Sequence, residues 1–195
     1  MADPAPPRPG RPRSTTADGL IRSAALALVR EAGPRAVTIE AVAARAGIAK
    51  TTIYRRFSNR DELLATVLHE AIGTPEIPAD GDARTKTRAA LEQAWRQLEQ
   101  VLGRGGVAAV VLDDDPTFTR LFRDALAPYD AALVGLIRAD VAAGLLRPGL
   151  DAEAVTSLFV GAYLGELVRA GQVAPDWLER CLDLLWPTMV ARQDG

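Results

Sequence analysis

Residues 38–63 read TIEAVAARAGIAKTTIYRRFSNRDEL, and the spacing of their apolar positions decides the fold. Thr38 has the side chain of an N-cap, and Ile39, Val42, Ala43 and Ala46 behind it make one stripe of a short helix that Gly47 breaks. The pattern resumes at once in a third helix, with Ile53 and Phe57 four apart, before Ser58 opens a fourth through Leu63, Leu64, Val67 and Leu68. Upstream, Leu20, Ile21, Ala24, Ala25, Leu28 and Val29 recur at helical spacing in a longer first helix. Thr15 with Asp18 reads as its capping box and Gly33-Pro34 as its end. Two short helices about a glycine turn, behind a longer one, have the length pattern of a helix-turn-helix, whose second helix enters the DNA major groove.

The faces of the third helix support that reading. At about 100° per residue from Thr51, Ile53 and Phe57 fall near 200° and 240°, on one side, while Thr51 and Arg55 lie on the other. Thr52 and Tyr54 flank the outer face. An arginine, two hydroxyls and a phenol can reach base edges and phosphates, where a surface helix would more often show Glu and Lys.

The stretch 38–63 resembles the DNA-binding signature of the tetracycline-repressor (TetR) family of bacterial regulators. The shared order is a Thr opening the second helix, an Ala-Gly turn, a Lys, a small residue and Thr, then aliphatic-Tyr, two residues and Phe, with a basic residue soon after. Eight or more positions match in order, within 17–68. The resemblance implies that Lys50, Thr51 and Arg55 face the groove and that Thr38, Thr52, Tyr54 and Arg60 hold phosphates. Two positions depart: Ala49 stands where a Ser or Thr cap is frequent, and Arg56 where a His is usual, its permanent charge able to restore a phosphate contact. The family also implies that the remaining helices form a ligand-binding and dimerisation domain.

Charge is distributed accordingly. The net charge of −2 conceals an excess of five positive charges in residues 1–69 and of seven negative charges in 70–195, as expected if one end meets a polyanion. Residues 1–14, MADPAPPRPGRPRS, read as a disordered basic arm. Its Pro-Gly-Arg-Pro-Arg core either lays Arg11, with Arg13 beside it, into a narrow minor groove or attracts DNA only diffusely.

The domains expected are thus the arm 1–14, a DNA-binding unit 15–72 and a ligand-binding and dimerisation unit 83–193, divided by the Pro- and Gly-rich 73–82. Helical periodicity covers 83–102, 116–143 with a possible kink at Pro128, 151–170 and 175–192; residues 107–112 read equally as strand or helix. Pro175 suits a first helical turn and Pro187 should bend the last helix. The fold class is all-α.

Composition narrows function. Of 195 residues 48% are hydrophobic and 25% charged, which is ordinary globular composition. One cysteine and one histidine exclude an internal disulfide and a Cys/His zinc site, and leave no catalytic Ser/His/Asp or Cys/His grouping beyond Cys181 and His69. No cofactor, metal or enzymatic activity is expected. Asp113-Asp114-Asp115 reads as a helix-terminal charge run, His69 as a surface or interdomain residue, and Cys181 as a small hydrophobe. No apolar run reaches the ~18 residues of a membrane span, and a cytoplasmic location is expected.

Trp95, Leu98, Leu102, Phe118, Phe122, Phe159 and Tyr163 are core-forming types, and the resemblance makes them the walls of a pocket for a lipophilic or aromatic effector. The last two helices are apolar over more than one face. Leu178, Cys181, Leu182, Leu185 and Met189 form a stripe that Trp177, Leu184 and Trp186 widen; Val155, Leu158, Phe159, Ala162 and Tyr163 stand beside small Gly161 and Gly165. A helix so apolar buries two faces, and pairing with a second copy would give a four-helix bundle in which Val155, Leu158, Ala162, Leu178, Leu182, Leu185 and Met189 make the contact. The expected whole is a homodimeric repressor on a palindromic double-stranded operator, released by a small molecule; the rival is an architectural DNA protein without a ligand.

Overall fold

A computed structural model describes residues 15–78 and 80–191, except the side chains of residues 15, 104, 105 and 108. The described residues form helices α1 (Thr15–Ala32), α2 (Ile39–Ala46), α3 (Lys50–Tyr54), α4 (Arg60–Ile72), α5 (Ala83–Leu112), α6 (Pro116–Ala142), α7 (Ala152–Ala170) and α8 (Trp177–Met189), with a 3-10 turn at Pro34–Ala36. They contain no strand; a lone bridge joins Leu146 to Val190 beside the end of α8. The all-α class is as read.

Local chemistry fixes the α1–α4 module. Gly33, at φ 81°, ends α1 with its N–H on the Val29 carbonyl. The Thr38 hydroxyl accepts from the Ala41 N–H, and Gly47 closes α2 in the left-handed region that glycine enters without strain. α3 is shorter than its apolar spacing suggests and ends at Tyr54, so Phe57 packs from the following turn. The cap of α4 is Asn59 rather than Ser58: its side chain accepts from the Glu62 N–H, and the Glu62 carboxylate reaches back to the Ser58 N–H.

The longer helices differ from the expectation in four places. Residues 107–112 are helical, the end of an α5 that kinks at Gly103 (φ 49°, ψ −162°). There α5 crosses α1 so closely that a Cβ on Gly103 would stand 2.8 Å from Arg30 Cγ, while the Arg30 guanidinium holds the Gln100 carbonyl at 2.7 Å. α6 runs unbroken through Pro128, held on either side of it by buried Ala125, Tyr129 and Leu133. α8 starts at Trp177, two residues after Pro175, which lies in the preceding turn.

Two hydrophobic clusters organise the chain. One joins α1–α4 to Val101 and Leu102 of α5 and to Phe118, Phe122, Ala125 and Tyr129 of α6; the other joins the first half of α5 and the second half of α6 to α7 and α8. Residues 73–78 and 80–82 are non-helical, yet packing continues past them because α5 and α6 are members of both clusters. The Tyr129 hydroxyl, donating toward the carbonyls of Ile72 (3.0 Å) and Thr74 (3.2 Å), ties α6 to the end of α4.

Candidate nucleic-acid interface and effector cavity

α3 presents its polar side. Ile53 is buried and anchors the helix, whereas Lys50, Thr51, Tyr54 and Arg55 are exposed, Tyr54 by 53%. Large aromatic surface left in water on a short helix marks a contact site rather than a packing site. Lys50 is paired with Glu40 of α2 at 3.0 Å, a bond between exposed groups that a phosphate can replace at little cost. Thr38 is exposed, and its hydroxyl hydrogen is free to donate while the oxygen caps α2. Thr52 and Arg56 are half-buried. Arg56 donates to Asp18 of α1 and to the Thr52 carbonyl, so Asp18 ties the turn after α3 to α1; the cap expected from the Thr15 side chain lies outside the described side chains.

Arg60 departs from the sequence expectation. Its guanidinium donates to the carbonyls of Val37 and Pro34, both at 2.8 Å, and to the Asp115 carboxylate at 2.5 Å. A side chain so engaged is a brace between the α2 entry and the α5–α6 turn, held back from solvent more than the exposed residues of α3. The aspartate run is the other half of the brace. Asp113 closes α5 in the left-handed region, Asp114 pairs with Arg35 at 3.1 Å, and Asp115 caps α6 through the Phe118 N–H while holding Arg60. Burial pushes the Asp115 pKa up, but the Phe118 N–H and Arg60 outweigh it and hold the carboxyl below its ordinary value. His69 is exposed in the last turn of α4; Cys181 is half-buried, and burial raises its thiol pKa. Arg11 and Arg13 lie outside the described residues.

A cavity of about 440 Å³ opens between α5, α6 and α7. Leu98, Leu102, Phe122 and Tyr163, expected in it, line it; so do residues that sequence reasoning missed, among them Glu99, Val107, Val110, Leu126, Val160, Leu167 and Gln172. Aliphatic residues at helical spacing look like core, and no signal in the sequence separates a cavity wall from a packed interior. Trp95 lines a neighbouring cavity of about 360 Å³ that shares Leu98, Leu126 and Val160 with the first. Phe118 and Phe159 line neither: both are fully buried, Phe118 stacked on Phe122 with centroids 6.1 Å apart and Phe159 inside the α5–α8 cluster.

The face expected between two copies also divides differently. Val155, Leu178, Leu182 and Met189 are buried within their own chain, and Ala162 and Leu185 are half-buried. Trp177 packs edge-on against Trp95 at 5.0 Å, so its partner is internal. The apolar surface left outside is Leu158 (60% exposed), Val160 and Val168 (86%) of α7, with Gly161 and Gly165 exposed among them, and Leu184 (75%) of α8.

A helix-turn-helix with an exposed polar second helix, braced against a helical body that holds an apolar cavity, defines a DNA-binding regulator of transcription. Known proteins supply the family. The family model for bacterial regulatory proteins of the tetR family matches residues 21–67. The DNA-binding transcriptional repressor TetR of Mycobacteroides abscessus is 32% identical over 176 residues, which cover 78% of this chain and 92% of that protein. Among solved structures, TylP, a TetR regulator from Streptomyces fradiae, superposes with a TM-score of 0.68 at 26% identity, covering 93% of this chain and 89% of its own. FadR of Bacillus subtilis, solved in complex with stearoyl-CoA, superposes at 0.66 with 20% identity, covering 86% and 95%. The chain belongs to the TetR family and is a transcriptional regulator of that type. Among the described residues no helix is long and apolar enough to cross a membrane.

Proposed function

We propose that the chain is a homodimeric, cytoplasmic repressor that leaves a palindromic operator when a small lipophilic molecule fills the cavity between α5, α6 and α7. In this reading residues 15–72 read DNA and residues 83–193 hold the effector and the second copy. The observation that carries it is the pairing of two features through shared helices: α5 and α6 wall the cavity and also belong to the cluster that seats α1–α4. If such a molecule binds one arrangement of those helices more tightly and DNA binds the other, each lowers the other's affinity by the same factor, which is at most the ratio of the molecule's affinities for the two arrangements. That FadR is solved with stearoyl-CoA supports the cavity reading by analogy.

Dimerisation is supported by Leu158, Val168 and Leu184, large apolar groups left in water beside exposed glycines that would let two helices approach closely. It also serves the chemistry, because reading both half-sites from one side of the duplex requires two α3 helices about 34 Å apart or a multiple of it. The test is a footprint of the purified protein on DNA flanking its own gene, with and without compounds that raise its thermal stability. The expected result is a two-fold symmetric protected site that such a compound releases. Tight-binding compounds that leave the footprint unchanged would overturn the gating, and protection without sequence preference would favour an architectural role.

A further inference from the structure

The cavity has a charge as well as a shape. Glu99 is in its wall and is exposed, so its carboxylate stands where the apolar space meets solvent, together with the exposed Gln172 of the α7–α8 turn. None of the described lining side chains is Lys, Arg or His. Tyr163 donates its hydroxyl to Glu99 Oε1 at 2.9 Å, which leaves the other carboxylate oxygen to accept from something else. The phenol is held in place from behind: its ring stacks on Trp95 at 5.5 Å and 16° and meets the edge of Trp177 at 6.0 Å. Burial, and then Glu99 itself, push the Tyr163 pKa upward, so the proton stays on the phenol and the phenol acts as donor to Glu99.

We propose that the cavity selects a lipophilic monocation, an amine, quaternary ammonium or phosphonium on a mainly apolar body, with Glu99 as its counter-ion and Tyr163 holding that carboxylate in position. This rests on the reading of the cavity as the effector site and names the chemical class of the effector. A neutral hydrophobe would gain the wall of Leu98, Leu102, Leu126 and Leu167 but would cover Glu99 without pairing it, and covering an unpaired charge is costly. A lipophilic anion would gain the same wall and be repelled. A cation gains the wall and the carboxylate, beside the aromatic side chains of Phe122 and Tyr163 in the lining.

The full chain is titrated calorimetrically with tetraphenylphosphonium and tetraphenylborate, ions of nearly equal shape and opposite charge. Tetraphenylphosphonium is expected to bind about tenfold more tightly, and Glu99→Gln, at an exposed position, to bring the two within about twofold with helical content unchanged by circular dichroism. Glu153→Gln, on the surface of α7 away from the cavity, is expected to keep the preference, which separates Glu99 from the general negative charge of residues 70–195. Equal binding, tighter anion binding, no binding of either ion, or a cation preference that survives Glu99→Gln would overturn the proposal. The same phosphonium is then added to the protein on the footprinted DNA. Glu99-dependent binding that leaves DNA affinity unchanged would keep the ligand class and overturn the gating alone.

Discussion

Arg55 stands beside Tyr54 and Thr51 on the exposed side of α3, where a guanidinium can reach two acceptors on a guanine edge. Arg55→Ala should cost about 1–3 kcal/mol at the footprinted site and much less on random DNA, measured by titration of both; equal losses on the two would assign Arg55 to phosphate. Arg60 belongs to a different experiment. Its variant to Ala strands three acceptors, one of them the largely covered Asp115 carboxylate, and should lower stability by about 1–3 kcal/mol in urea denaturation. Weaker DNA binding with unchanged stability would return Arg60 to the phosphates. Asp115 adds a pH signature. Its folded pKa lies below its unfolded value, so its contribution is present at neutral pH and is lost as pH falls through the depressed folded value. Asp115→Asn should therefore flatten the acid limb of stability against pH, below about pH 4, relative to wild type; an unchanged limb would show the brace to be electrostatically idle.

Among the helices, α5 and α7 use glycine for opposite purposes. Gly103 gives α5 a left-handed residue where it crosses α1, and Gly103→Ala should destabilise by about 1–3 kcal/mol because the Cβ meets Arg30 and the backbone angle is strained. Gly161 and Gly165 have open space around them within the chain. Replacing both by Ala should leave the stability of a single chain unchanged or higher, since Ala favours helix. If a second copy closes on this face, the same pair should weaken dimerisation in sedimentation, and equal dimer affinity would move the interface elsewhere. α3, at five residues, is too short to be stable by itself, and its orientation comes from Ile53 in the core and from Arg56 on Asp18.

At the scale of the molecule, α5 and α6 connect the DNA-reading module to the cavity and to the apolar face of α7 and α8. Leu184→Glu should produce monomers of native helical content that lose operator binding, because an exposed leucine can become charged without cost to its own core. Leu185, half-buried against that core, would confound folding with assembly. Wild-type protein that sediments as a monomer at micromolar concentration would refute the dimer.

The all-α class, the order of the helices and the family were legible from sequence because they rest on local rules: periodicity, the Thr38 cap, the Gly33 and Gly47 breaks, and the ordered signature in residues 38–63. Tertiary structure decided what those rules do not reach. Capping and periodicity report a residue's neighbours one turn away, but Arg60 finds Asp115 across 55 positions and Tyr163 finds Glu99 across 64. An apolar residue at helical spacing can equally face a packed core, a cavity or open solvent. Phe159, Leu98 and Leu158 take those three fates, set by which helix lies opposite each one, and that is fixed only when all the helices have packed together.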